Sequence, residues 1–181
     1  MGTRDQEGGV HPRGVSGSGR RHAREGDSGD VQRGGLDPAA MQHLVGFLLA
    51  MATIGTRAVF QRHVGKPFEL REVEFTLLVL LHSNHGAAPK QLALALNIPA
   101  PKVTLLLDRL MERGLLERRR SPTDGRALQL HLTPKGTQLT QRAIEVSMHM
   151  EDGLLQGLSP AERAMLRELL LKVARAAVLH D

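Results

Sequence analysis

The sequence contains no Cys, no Trp and no Tyr, and only four Phe among 181 residues. Without cysteine there is no disulfide framework, no thiolate zinc site and no thiol nucleophile. Without Trp and Tyr there are few aromatic platforms on which single-stranded bases could stack. The polar start lacks the apolar core of a secretory signal. The longest apolar stretches are broken by His, Arg or Thr and fall short of a bilayer span. A soluble, cytoplasmic protein is expected. Catalytic signatures are missing too: no glycine-rich phosphate loop after a strand, no nucleophile elbow and no convergent carboxylate set. The chain is therefore not expected to be an enzyme. Its 24 basic residues exceed its 19 acidic ones, for a net charge of +5. That balance permits nucleic-acid binding without establishing it.

Residues 1–35 stand apart, holding ten of the 19 glycines and almost no large apolar groups. Such a segment cannot offset its ordering entropy by burial, and disorder is expected. Two alternatives stay open: an arm that reaches a minor groove through Arg20, Arg21, His22 and Arg24, or a start that truly lies at Met41.

The body begins near Leu36, with Asp37-Pro38 as an N-cap and first-turn pair. Leu44, Phe47, Leu48, Met51 and Ile54 recur at helical spacing and predict a helix to about His63, ended by Gly65-Lys66-Pro67. A second helix is expected from about Leu70 to Ser83, with Val73, Leu77 and Leu80 on its apolar face and Phe75 and Leu78 close by. After the turn Asn84-His85-Gly86, a short helix opens at Pro89. Asn97-Ile98-Pro99-Ala100 is a tight turn, and the next helix covers Pro101 to Glu112, with Gly114 as its C-terminal cap. The apolar period then changes to two. Leu116 to Arg120 reads as a strand, Ser121 to Gly125 as a turn, and Leu128, Leu130 and Leu132 as one face of a returning strand. Thr133-Pro134 starts a helix expected to reach about Leu155. Ser159-Pro160-Ala161-Glu162 is a full capping box for a last helix striped by Met165, Leu169, Leu170 and Val173.

Two short helices across a four-residue turn, then a basic hairpin, is the order of a winged helix-turn-helix. A helix presented end-on to a major groove can read distinct base edges. Pro101, Lys102, Thr104 and Leu105 lie near the start of that helix. Lys102 and Thr104 are the base-reading candidates, and Leu105 could touch a thymine methyl. Arg109 would reach a phosphate, or else pair locally with Asp108 or Glu112. Arg118, Arg119, Arg120 and Arg126 crowd the hairpin, where an arginine on a thin loop can enter a narrow minor groove. Asp124 would hold an arginine or accept loop amide hydrogens. The alternative is an ordinary charged hairpin on a solvated face.

The segment Leu115 to Ala127, followed by Leu132-Thr133-Pro134-Lys135-Gly136, is similar to the MarR family of transcriptional regulators. Gln91-Leu92-Ala93, Val103-Thr104 and Leu107-Asp108-Arg109-Leu110 match as well, and the resemblance spans Leu36 to Val178. It implies a mainly α fold with a small β-hairpin wing, the winged helix-turn-helix being inserted in a helical dimerisation domain. Residues 36–66 and 134–181 would form the dimerisation region, and 67–133 the DNA-binding lobe. It implies a homodimer on pseudo-palindromic duplex DNA, with Arg126 in the minor groove and Asp124 supporting it. The expected role is a repressor. Two positions depart from the family: Gly125 stands where a second arginine is usual, and Leu105 where a polar or basic residue is common.

The apolar stretches 44–54 and 164–179 independently suggest an interface, since a monomer would expose them; an intrachain bundle is the alternative. The resemblance also implies a small anionic, often aromatic effector between the dimer helices and the lobe. Arg57, His63, Arg71 and Phe75 are the candidates, against an ion pair of Arg57 with Glu72 or Glu74 and a plain surface role for His63. No cofactor is expected. The nine histidines show no short-spaced ligand pair, so no metal site is assigned, although a site assembled by the fold stays open. Two other functions remain to be separated from regulation: a winged-helix protein-interaction module, and weakly specific architectural DNA binding.

Overall fold

The computed structural model describes residues 37–120 and 128–178, with side chains to Ala176. The expectations for residues 1–36 and for the wing residues 121–127, including Asp124 and Arg126, lie outside the described residues. The chain divides between His43 and Leu44. In the first unit the described residues form one 3-10 turn, Ala39–Met41, in which the Asp37 carboxylate accepts the Ala39 N–H at 2.8 Å.

In the second unit the order is α1 (Val45–Phe60), a π turn (Gln61–Gly65), α2 (Lys66–Phe68), α3 (Glu72–Ser83), α4 (Pro89–Leu96), α5 (Ala100–Glu112), β1 (Leu116–Arg120), β2 (Leu128–Leu132), α6 (Pro134–Ser147) and α7 (Pro160–Val178). The strands form one antiparallel pair, with Leu116 opposite Leu132 and Arg120 opposite Leu128. Mainly helical with one hairpin is the class the sequence predicts. No helix among the described residues is long and apolar enough to cross a membrane.

The main core joins α3, α4, α5 and the hairpin. Leu77, Leu78 and Leu81 of α3 meet Leu92 of α4, then Leu107 and Leu110 of α5, and Leu116 and Leu130 of the strands. A smaller cluster ties Phe60 and Val64 to Ala143 of α6. Phe68 and Phe75 touch both clusters, and the Phe60 and Phe75 rings are 5.7 Å apart. These two phenylalanines connect the long helices to the lobe.

Several expected boundaries are corrected. Asp37-Pro38 begins only the 3-10 turn, and the first long helix starts at Val45. Gly65-Lys66-Pro67 does not stop it. The helical path passes through the π turn, whose wider register accommodates the N–H that Pro67 lacks, and continues to Phe68. It stops at Glu69, left-handed at φ 52°, where the Leu70 N–H closes on the Gly65 carbonyl at 2.9 Å. On α3 the buried stripe is Glu74, Leu77, Leu78 and Leu81, one position round from the expected face. Helix α6 ends at Ser147, short of Leu155, and residues 148–157 are successive turns.

Candidate nucleic-acid interface

The turn between α4 and α5 is built by two residues. Asn97 takes the left-handed conformation that ends α4, and Pro99 is extended at φ −54°, ψ 135°, with its carbonyl accepting the Lys102 and Val103 N–H groups. Val103, Leu106, Leu107 and Leu110 bury one face of α5 as the sequence predicts. Pro101, Lys102, Thr104 and Leu105 are exposed together on the other, and Leu105 is 72% exposed. Thr104 donates its hydroxyl hydrogen to the Ala100 carbonyl at 3.1 Å. It therefore offers a partner its lone pairs and its methyl group.

Arg109 is placed differently from its expected partners. Its guanidinium lies 3.3 Å from Glu74 Oε1, and Glu74 is completely buried. The other Glu74 oxygen accepts the Arg71 N–H at 2.8 Å, one half of a capping box for α3; the Arg71 guanidinium has no acceptor to supply the other half. One buried carboxylate thus caps the start of α3 and, through an ion-pair contact without a hydrogen bond, faces Arg109 of α5. Asp108, freed from Arg109, accepts Arg118 of β1 at 2.8 Å. Arg119 pairs with Glu117. Arg120 is exposed and has no carboxylate partner among the described residues. Of the strand arginines in the predicted interface, Arg118 ties the hairpin to α5 through Asp108, and Arg120 is exposed.

The hairpin is fixed at its base. Thr133 caps α6 through the Gly136 N–H at 3.0 Å and donates its hydroxyl to the Gly114 carbonyl at 2.7 Å. Gly114, at φ 68°, is the turn from α5 into β1. A Cβ on Gly136 would lie 2.0 Å from the Leu115 carbonyl oxygen, so only glycine lets α6 approach the first strand this closely.

Among the described residues, the clefts at Arg71 and at Lys66 do not bring the four ligand candidates together. Arg57 faces Glu72 at 3.5 Å, the ion pair that the sequence offered as the alternative. His63 is exposed on the π turn. Phe75 is half-buried against Phe60. Arg71 alone lines an open cleft of about 640 Å³, together with Gln61, Glu69, Leu70, Arg109, Glu112 and Arg113. A second cleft of about 650 Å³ lies between Lys66, Pro67, Phe68, Glu69, Arg113, Lys135, Gln138, Leu139 and Arg142. Its basic residues went unremarked in the sequence, where Lys66 and Lys135 counted only as helix-end residues. Among the described residues no three His, Asp or Glu side chains gather as a metal site.

The MarR family model matches residues 70–128, the span from the start of α3 to the start of β2. A crystal structure of the transcriptional repressor CouR bound to a 23-mer DNA duplex superimposes with a TM-score of 0.70 at 32% identity, over 77% of this chain and 98% of that one. The chain belongs to the MarR family. This regulator is thus a DNA-binding winged helix-turn-helix protein and not an enzyme. It is 28% identical over 156 residues to a putative transcriptional regulatory protein for the hcr operon of Thauera aromatica, covering 86% of this chain and 93% of that protein. BpsR of Bordetella bronchiseptica, in a structure describing regulation of its DNA binding by 6-hydroxynicotinic acid, matches with a TM-score of 0.65 at 28% identity, over 72% and 92% of the two chains.

Proposed function

We propose that this MarR-family regulator is a homodimeric, cytoplasmic repressor that binds a pseudo-palindromic operator and is modulated by a small anionic or aromatic effector. The observation that carries the DNA-reading part is the exposed face of α5. Pro101, Lys102, Thr104 and Leu105 emerge there without partners from other elements, on a helix whose opposite face is sealed by leucines. Lys102 and Thr104 read base edges, and Leu105 packs on a thymine methyl. Arg126 at the wing enters the adjacent minor groove, with Asp124 supporting it, and Arg120 meets the flanking phosphates.

Dimerisation is supported by α1 and α7. Leu48 and Ile54 of the first are 48% and 45% exposed, and Leu169 and Leu171 of the second 49% and 56%. Such a surface is costly in a monomer. Residues 36–66 and 134–181 then form the dimer region and 67–133 the reading lobe. Two-fold symmetry would set two recognition helices one turn of DNA apart. Repression by occupancy accords with the repressor CouR, and an acidic effector with BpsR.

Selection of bound duplexes followed by two substitutions tests the reading. Lys102→Ala should lose about 1–3 kcal/mol at particular base pairs only. Arg126→Ala should weaken all duplexes and flatten the salt dependence by about one ion. Equal losses from Lys102→Ala on every duplex would remove its reading role. No affinity for any duplex at low salt would favour the protein-interaction reading, for which Leu94 and Leu105 offer exposed apolar groups.

A further inference from the structure

We infer that the exposed face of α5 is a reader of pyrimidine 5-methyl groups: its operator is recognised through thymine methyls, and a 5-methylcytosine in the same register is bound as a thymine is. The inference rests on the proposed entry of α5 into the major groove and names what the helix recognises there. Ala100, Pro101, Thr104 and Leu105 are all exposed over the first two turns of the helix. Positions 100 and 104, like 101 and 105, are four apart, so the four side chains form one contiguous patch. Three of these side chains carry no polar atom. The fourth, Thr104, donates its hydroxyl hydrogen back to the Ala100 carbonyl at 3.1 Å, which leaves it no hydrogen for a base acceptor. Leu105 is 72% exposed and forgoes the gain that contact with an apolar group would bring.

Reading bases by hydrogen bonds takes particular side chains. Arg or Lys pairs with guanine, Asn or Gln with adenine, and Asp or Glu accepts from cytosine. Residues 100–107 of α5 include none of these except Lys102. The next polar residues along the helix are already engaged. Asp108 accepts Arg118 of β1 at 2.8 Å, and Arg109 lies 3.3 Å from the buried Glu74. In the hairpin, Arg119 is paired with Glu117. What remains for this patch is the one major-groove feature that suits an apolar side chain, the methyl on C5 of thymine. Adenine, guanine and unmethylated cytosine offer none. 5-Methylcytosine carries its methyl on the same ring carbon as thymine. Telling the two apart then falls to the paired purine, which Lys102 alone among these residues has a donor to contact.

The test begins with duplexes that the full chain selects from an unmethylated random pool. Each thymine of the selected half-site is replaced singly by deoxyuridine, which deletes the methyl and leaves every hydrogen-bonding group in place. Fluorescence anisotropy of labelled duplexes measures the affinities. At least one thymine per half-site should lose about fourfold on conversion to uracil, the worth of burying one methyl-sized group. With a cytosine–guanine pair at that position, methylating the cytosine should strengthen binding by about fourfold. Leu105→Ala should bring the thymine-to-uracil ratio there to within about 1.5-fold of unity. Its exposure keeps that substitution out of the core. Lys102→Ala should weaken both duplexes and keep the ratio. Uracil within about 1.5-fold of thymine at every position, or ratios that Leu105→Ala leaves unaltered throughout, would overturn methyl reading while the regulatory function stands. Enrichment of no duplex at low salt would reject both.

Discussion

Glu74 is the residue whose removal tests the most of this structure at once. It is fully buried. One oxygen accepts the Arg71 N–H that begins α3, and the other faces the Arg109 guanidinium on α5. Glu74→Ala deletes both interactions and leaves a void. A lost helix cap costs about 1 kcal/mol. The ion pair contributes about 1 kcal/mol, because Arg109 is 43% exposed and water screens it. The missing methylene and carboxylate leave a small cavity of similar cost, about 1 kcal/mol. Together the change should destabilise the chain by about 3 kcal/mol, or lower Tm by roughly 6–12 °C for a domain of this size. Glu74→Gln keeps the volume and an acceptor for Arg71, and should cost about 1 kcal/mol. Thermal melts followed by circular dichroism, at one fixed protein concentration because dimerisation shifts apparent stability, measure both. A Glu74→Ala loss within about 0.5 kcal/mol of wild type, a size typical of surface changes, would refute the reasoning. So would a Gln variant as damaged as the Ala variant.

Gly136→Ala drives a Cβ to 2.0 Å from the Leu115 carbonyl oxygen, so α6 and β1 must part; about 3 kcal/mol of lost stability is expected by chemical unfolding. Leu169→Glu puts a charge in the exposed stripe of α7 and should convert the dimer to monomer in sedimentation, with duplex affinity falling alongside. The Glu162 carboxyl is held below its ordinary range, first by the Ser159 hydroxyl and then by the Ser159 N–H. Its capping contribution is therefore complete above the ordinary carboxylate pKa and fades as pH falls through the lowered one. Ser159→Ala should move the Glu162 titration, read by NMR, upward.

The lobe was legible because its signals are local. The switch of apolar period at Leu116, the turn at Asn97-Ile98-Pro99 and the four inward residues of α5 each appear in a few consecutive positions, and each lies where expected. What escaped depends on distant packing. A proline at position 67 looks like a stop, yet Phe68 reaches both cores and the chain continues helical to meet them. Glu74 reads as a surface charge on a helix, and nothing in its neighbours announces that a leucine-lined face surrounds it. The partner of Arg109 lies 35 positions away, whereas Asp108 and Glu112 stand beside it in sequence. Burial reverses that ranking. Similarly, the cations at positions 66, 113, 135 and 142 come from four separate places in the chain, and only the fold lines them along one cleft.

In the proposed complex α5 presents its Lys102-Thr104-Leu105 face to base edges while the hairpin follows the neighbouring groove. Hydroxyl-radical footprinting of the dimer on a selected duplex measures this most directly. Two protected half-sites are expected, centred roughly 34–36 Å apart along the duplex, each with a minor-groove flank that is lost with Arg126→Ala. Uniform protection without half-sites, or protection that Lys102→Ala and Arg126→Ala leave unaltered, would contradict it.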